Sequence, residues 1–95
     1  MDAGGTMHFP GLDETTVAFL TTERHLVGIG IDTLSIDPGT DKRYAGHRTL
    51  SAAGKWAAEC VANLGQLPAT GATVFVGAVK VAGATGAPAR IVAFW

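Results

Sequence analysis

Charge is scarce in this chain. Only 16% of its residues are Asp, Glu, Lys or Arg, while 47% are hydrophobic; an ordinary soluble domain carries roughly 25% charged residues. Its 95 residues make one domain at most. A chain of this size buries only about 60–65% of the surface its unfolded form exposes, so it should need more charge, not less. The shortage predicts that much of its surface is covered by a second copy, by a partner chain or by a further part of the same fold. No basic cluster accompanies the net charge of −1, which argues against nucleic acid as a partner. No apolar run approaches the length of a membrane span. Met1 to Phe9 has neither the basic start nor the apolar stretch of a secretory signal. One cysteine, Cys60, cannot make an internal disulfide, and a reducing, cytoplasmic setting is the expectation. Glycine is plentiful, but its residues are scattered through turns rather than gathered in a low-complexity tract, and no internal repeat is visible.

What is present reads as an α/β or α+β order. Residues 1–11 are loop, punctuated by Gly4-Gly5 and Pro10-Gly11. Asp13 suits a helix N-cap and Glu14 a first turn; Val17, Phe19 and Leu20 supply apolar contacts for a helix running to about Arg24. Leu26 to Ile31 reads as a buried strand whose glycines suggest close packing by a neighbour. Asp32 to Gly46 is a long polar connection, of the kind that often carries function. A second helix is expected from about Leu50 or Ser51 to Leu64, ended by Gly65 and Pro68. Thr73 to Val79 is a second strand, Gly83 to Pro88 a turn, and Arg90 to Trp95 a third strand.

On that expected second helix, Trp56, Ala57, Cys60, Val61 and Leu64 share an apolar face. Lys55, Glu59 and Asn63 line up at four-residue spacing. Glu59 is then either half of a surface pair with Lys55 or a carboxylate in a specialised polar site, as metal ligand or general acid/base. His47 lies twelve residues before it. A histidine near a helix start can face the same site, and His with Glu suits zinc or manganese, although zinc needs three or four protein ligands. A hydrogen-bonded or surface histidine is the ordinary alternative. His8 and His25 read as structural. Ser35, His47 and Asp37 include the residue types of a triad, but no nucleophile-elbow sequence surrounds Ser35. Gly28-Ile29-Gly30 lacks the third glycine of a dinucleotide fingerprint, and Gly83 to Gly86 lacks the Lys-Ser/Thr of a phosphate loop. Cys60 reads as packing.

An ordered series then stands out: Phe9-Pro10-Gly11-Leu12; Gly28-Ile29-Gly30-Ile31-Asp32-Thr33-Leu34-Ser35-Ile36-Asp37-Pro38-Gly39; His47; Glu59; Asn63-Leu64 with Leu67-Pro68; and Gly83-x-x-Gly86-x-Pro88-x-Arg90. Over nearly its whole length the chain resembles the C-terminal part of the cyclase family of metal-dependent hydrolases, which includes the kynurenine formamidases. The resemblance implies an α/β swivelling domain, present in part, assembled into homo-oligomers or with a chain carrying the missing N-terminal part. It implies hydrolysis of amide-like bonds, as in N-formylkynurenine in tryptophan breakdown or the isatin ring. It also implies a divalent metal site, zinc or manganese and often binuclear, with His47 and Glu59 as ligands. The family's other ligands lie in a His-x-Gly-Thr-His-x-Asp-x-Pro-x-His motif that does not occur here. Cys60-Val61 stands where Asn-Leu usually follows the glutamate. A truncated relic or interaction subunit that keeps the fold without the site is the alternative expectation. If the metal reading holds, His47 and Glu59 must converge in a concavity, with Lys55 pointing away.

Overall fold

The computed structural model describes residues 1–95, which form two compact units, Met1–Ala62 and Asn63–Trp95. In the first unit, helix α1 spans Glu14–Glu23. Its start is the one expected: Asp13 has extended backbone, and its carboxylate accepts from the Thr16 N–H at 2.7 Å and the Thr15 hydroxyl at 2.8 Å. That satisfies one of the donors a helix leaves orphaned at its first turn. Val17 is buried, but Phe19 is not the core residue it resembled; it is exposed, with the Arg24 guanidinium 4.8 Å from its ring centre.

Strand β1, Gly28–Gly30, pairs in parallel with β2, Trp56–Ala58, in the register Gly28–Trp56, Ile29–Ala57, Gly30–Ala58. The close approach implied by the glycines is real at Gly28, where an added Cβ would fall 2.2 Å from the Trp56 indole. It is absent at Gly30, whose nearest neighbour, Val61 Cγ2, would stand 4.0 Å away.

Helix α2 spans Ala45–Ala52, earlier and shorter than the sequence suggested. The expected helix from residue 50 or 51 to 64 does not form. Gly54, at φ +71°, closes α2: its N–H donates to Ser51 O, and the Lys55 N–H donates to Leu50 O. This pair of bonds with a left-handed glycine is the Schellman ending. Beyond it the alanine-rich run becomes β2, because pairing with β1 outweighs the small helix preference of alanine. Cys60, expected to pack on a helix face, is instead exposed and left-handed at φ 55° in the turn after β2. The helical alignment of Lys55, Glu59 and Asn63 is therefore void. Val17, Ile29, Ile36 and Leu50 form the core, with Leu12, Leu20, Leu26, Ile31 and Ala57 packed around it. Each fully buried side chain of this kind contributes about 1.5–3 kcal/mol relative to exposure.

In the second unit, a short 3-10 turn at Leu64–Gln66 precedes an antiparallel hairpin of β3, Thr73–Ala78, and β4, Ala89–Phe94. Both strands lie where the sequence placed them. Phe75 pairs with Val92, and Thr73 with Phe94; strand alternation puts these four side chains on one face. Phe75 and Phe94 are each more than half exposed, as is Trp95.

Asp13 and Asp41 both titrate below the usual carboxylate range. For Asp13 the main cause is the Thr16 N–H bond, and for Asp41 the Arg43 N–H bond. A depressed folded value means that the stabilisation is present in full above the unfolded value, about 3.9, and is lost as pH falls through the folded value. Far-UV circular dichroism between pH 6 and 2 is expected to hold down to about pH 4 and to lose helix signal below it. Asp13→Asn should flatten the part of that loss that comes from α1.

Candidate active site

The site residues come from three segments of the first unit. The connection after β1 is held against β2 and the turn beyond it, with Ile31 N–H donating to Ala58 O, Val61 N–H to Ile31 O and Cys60 N–H to Thr33 O. Glu59 thus leaves the carboxyl end of β2 beside the loop that leaves the carboxyl end of β1. In parallel sheets, that is the end at which ligands gather. From the other side, Leu12 N–H donates to Ile36 O at 2.7 Å and Gly39 N–H to Phe9 O at 3.0 Å. The Phe9-Pro10-Gly11-Leu12 stretch is therefore a clamp on the Ile36-Asp37-Pro38-Gly39 loop. Gly11 lies so close that an added Cβ would meet backbone atoms of Asp37 and Pro38 at 2.4–2.7 Å.

His47 is the third residue of α2, not a loop residue ahead of a helix. Its Nε2 lies 2.9 Å from Glu59 Oε1, and its Nδ1 lies 2.6 Å from Asp37 Oδ2. Glu59 Oε1 also accepts from the Ile36 N–H at 3.2 Å. The two sequence-predicted site residues therefore converge. Lys55 is absent from every ion pair of the chain, which removes the surface-pair reading of Glu59. Two hollows lie away from the pair, one lined by residues between Ala78 and Ala87 and the other by Glu14, Arg43, Ala45 and Arg48. About a third of each side chain of the pair is exposed.

Asp37, set beside Ser35 and His47 in the sequence only as a triad residue type and then put aside, is the third member of the cluster. It is 1% exposed, and its carboxylate accepts from the Gly46 N–H, the His47 N–H and His47 Nδ1. The available signal was the Ser35-Ile36-Asp37-Pro38-Gly39 run, ten residues ahead of His47. His8, read as structural, pairs with Asp2 at 2.8 Å. This contact holds the Asp2 carboxyl below its usual range, aided by the Thr6 N–H.

An imidazole nitrogen and a carboxylate oxygen are donors that zinc or manganese accepts. Two ligands of one tetrahedral zinc stand about 3.3–3.5 Å apart, so the 2.9 Å pair needs to open by about half an ångström. The donor set fits part of a metal site. No group of three or more His, Cys, Asp or Glu forms a cage, and Asp37, on the opposite ring nitrogen, is outside the reach of an ion held by Nε2.

The fold has close counterparts among solved structures. Isatin hydrolase A from Labrenzia aggregata, solved with benzyl benzoate bound, matches at 39% identity and a TM-score of 0.91, covering 98% of this chain and 38% of that one. Isatin hydrolase A from Ralstonia solanacearum matches at 32% identity and a TM-score of 0.85, covering 90% of this chain and 34% of that one. No protein-family model matches the chain, and no curated protein does. The chain belongs to the cyclase family, in which it is a part-length relative of the isatin hydrolases. It spans little more than a third of their length. No helix is long and apolar enough to cross a membrane.

Proposed function

We propose that this chain supplies the His47 and Glu59 ligands to a divalent metal site in a hydrolase of amide-like C–N bonds. Kynurenine formamidase and isatin hydrolase chemistry are the two nearest substrate choices. The observation that carries the reading is the 2.9 Å approach of Nε2 to Oε1 by residues twelve apart, in a fold shared with isatin hydrolases. A bound ion supplies Lewis acidity toward a carbonyl oxygen and makes water easier to deprotonate. His47 and Glu59 hold it, while the Ile36 N–H fixes the carboxylate. The reading assigns the remaining ligands, and the walls of a substrate pocket, to the part of the family fold outside these 95 residues.

The test compares the 95-residue chain alone with the chain joined to a segment bearing the family's His/Asp motif. Alone, it is expected to bind zinc or manganese weakly and to hydrolyse N-formylkynurenine and isatin negligibly, because two ligands stand where four are needed. Joined, it should bind tightly and turn over one of the two. Tight stoichiometric binding by the chain alone, measured by titration calorimetry, counts against the reading. So does an inert joined protein, which would favour the alternative of a non-catalytic interaction subunit.

The hairpin bears on partners. Its Phe75, Val92 and Phe94 face is apolar and open. A patch of this kind calls for a cover, and the reading assigns that role to the rest of the family fold or to a second copy. Sedimentation of the isolated chain at micromolar concentration should show self-association, together with strong binding of a dye for exposed apolar surface. A well-folded, dye-silent monomer would overturn the assignment.

A further inference from the structure

We infer that Asp37 is a positioning residue that fixes the tautomer of His47, and that it does so with the same carboxylate that caps helix α2. The inference rests on the proposed metal role of His47 but is measured independently of it. Helix α2 starts without a cap of its own: Tyr44, at its N-cap position, is left-handed at φ 53° and makes no side-chain capping bond. The free N–H groups of its first turn are served from a distance. Asp41 reaches the Ala45 N–H at 3.4 Å, and Asp37 takes those of Gly46 and His47. A buried carboxylate is costly unless it is fully hydrogen-bonded, and here the helix N-terminus, with its partial positive charge, supplies the compensation.

That arrangement leaves Oδ2 of Asp37 2.6 Å from His47 Nδ1. An ionised carboxylate only accepts, so Nδ1 must carry a proton. By the same rule Nε2 donates while Glu59 Oε1 stands against it; once the ring holds a single proton, Asp37 keeps it on Nδ1, and Nε2 carries the lone pair that an ion would take. Ligating histidines as a rule donate their second nitrogen to a carboxylate or carbonyl in this way. The added feature here is that the partner cannot drift, because its two oxygens are tied to the backbone of the helix that carries the histidine. Gly46 is what allows so close an approach: an added Cβ there would lie 2.6 Å from Asp37 Oδ1 and 3.3 Å from Val17 Cγ2. Helix, cap and imidazole are thus one rigid unit, and the direction of the Nε2 lone pair is set when α2 forms.

The experiment uses the protein with its fold complete, labelled with 15N-histidine and kept metal-free with a chelator. The background is Glu59→Ala, which leaves Nε2 without its own partner; the His47 signals are assigned by their loss in His47→Gln. The pH is raised until His47 holds a single ring proton. The expected result is a proton on Nδ1, seen as a pyrrole-type Nδ1 and a pyridine-type Nε2 in long-range 1H–15N spectra. A proton on Nε2 instead overturns the inference without any Asp37 variant, so a variant that fails to fold does not leave the question open. Asp37→Asn should move the proton to Nε2 and, with Glu59 restored, weaken zinc binding by about 10–100-fold. Asp41→Asn is the control for capping alone. It should lower the stability of α2 and leave both the tautomer and zinc affinity unchanged. An Asp37→Asn protein that keeps Nδ1–H refutes the positioning role. Zinc binding indifferent to His47→Gln refutes the metal reading instead, while the tautomer result still decides the role of Asp37.

Discussion

Glu59→Gln, made in the protein with its complete fold, is expected to weaken metal affinity and hydrolytic activity together. Each should fall by more than the 10–100-fold that removing an outer partner of a ligand costs. The amide keeps the shape and an oxygen for the Ile36 N–H, but it gives up the negative charge that a divalent ion binds. Stability should change little, since the side chain is about 30% exposed and outside the core. Calorimetric titration with zinc and with manganese, and turnover of isatin and N-formylkynurenine, should be measured on the same preparation. If activity dropped while metal affinity stayed whole, Glu59 would be a proton-transfer group rather than a ligand. If neither changed, it would leave the site altogether.

Gly11→Ala carries the second large effect, and here stability and site should fail together. The atoms an added Cβ would strike are Pro38 N and the Asp37 carbonyl group, at 2.4–2.7 Å. These are backbone atoms, so no side-chain rotation relieves the clash, and overpacking of this kind costs about 1–3 kcal/mol or more. Relief must come from moving the Asp37–Pro38 peptide or from breaking the clamp bonds Leu12–Ile36 and Gly39–Phe9. Either route displaces the carboxylate that orients His47. Thermal unfolding should drop by several degrees, and zinc affinity should fall beyond the loss of folded protein. Gly65→Ala serves as the control, because an added Cβ there has no neighbour within 4 Å. A Gly11→Ala protein with lowered stability but unchanged affinity would show that the clamp is structural only.

The parts of the fold legible in the sequence were those where local chemistry and tertiary structure agree. Asp13 as cap with Glu14 in the first turn gave α1 its start, and the β-branched and aromatic residues of 73–79 and 90–95 gave the hairpin. The second helix was misread because Ala52, Ala53, Ala57 and Ala58 look helical on propensity alone. The signal against them was Gly54, a C′ glycine read as interior. That error put Glu59 on the wrong kind of element, yet the pairing of Glu59 with His47 stood, because the ordered motifs supported it independently of the helix on which it was first read. Asp37 was grouped with His47 only as a triad residue type, and its role as helix cap and histidine partner stayed hidden for a different reason. Its partners are backbone amides of a helix nine and ten residues on, and only the fold brings these to its carboxylate.

One proton records the state of that assembly. The Ile36 amide hydrogen is donated to Glu59 Oε1, 23 residues further along the chain. Its exchange with deuterated solvent therefore follows the whereabouts of one carboxylate. Slow exchange marks the segments joined and Glu59 turned inward, and faster exchange marks Glu59 released from the loop. When an ion is added, any change in this single rate reveals whether binding draws the carboxylate away from the backbone or leaves it there, before a substrate has been chosen.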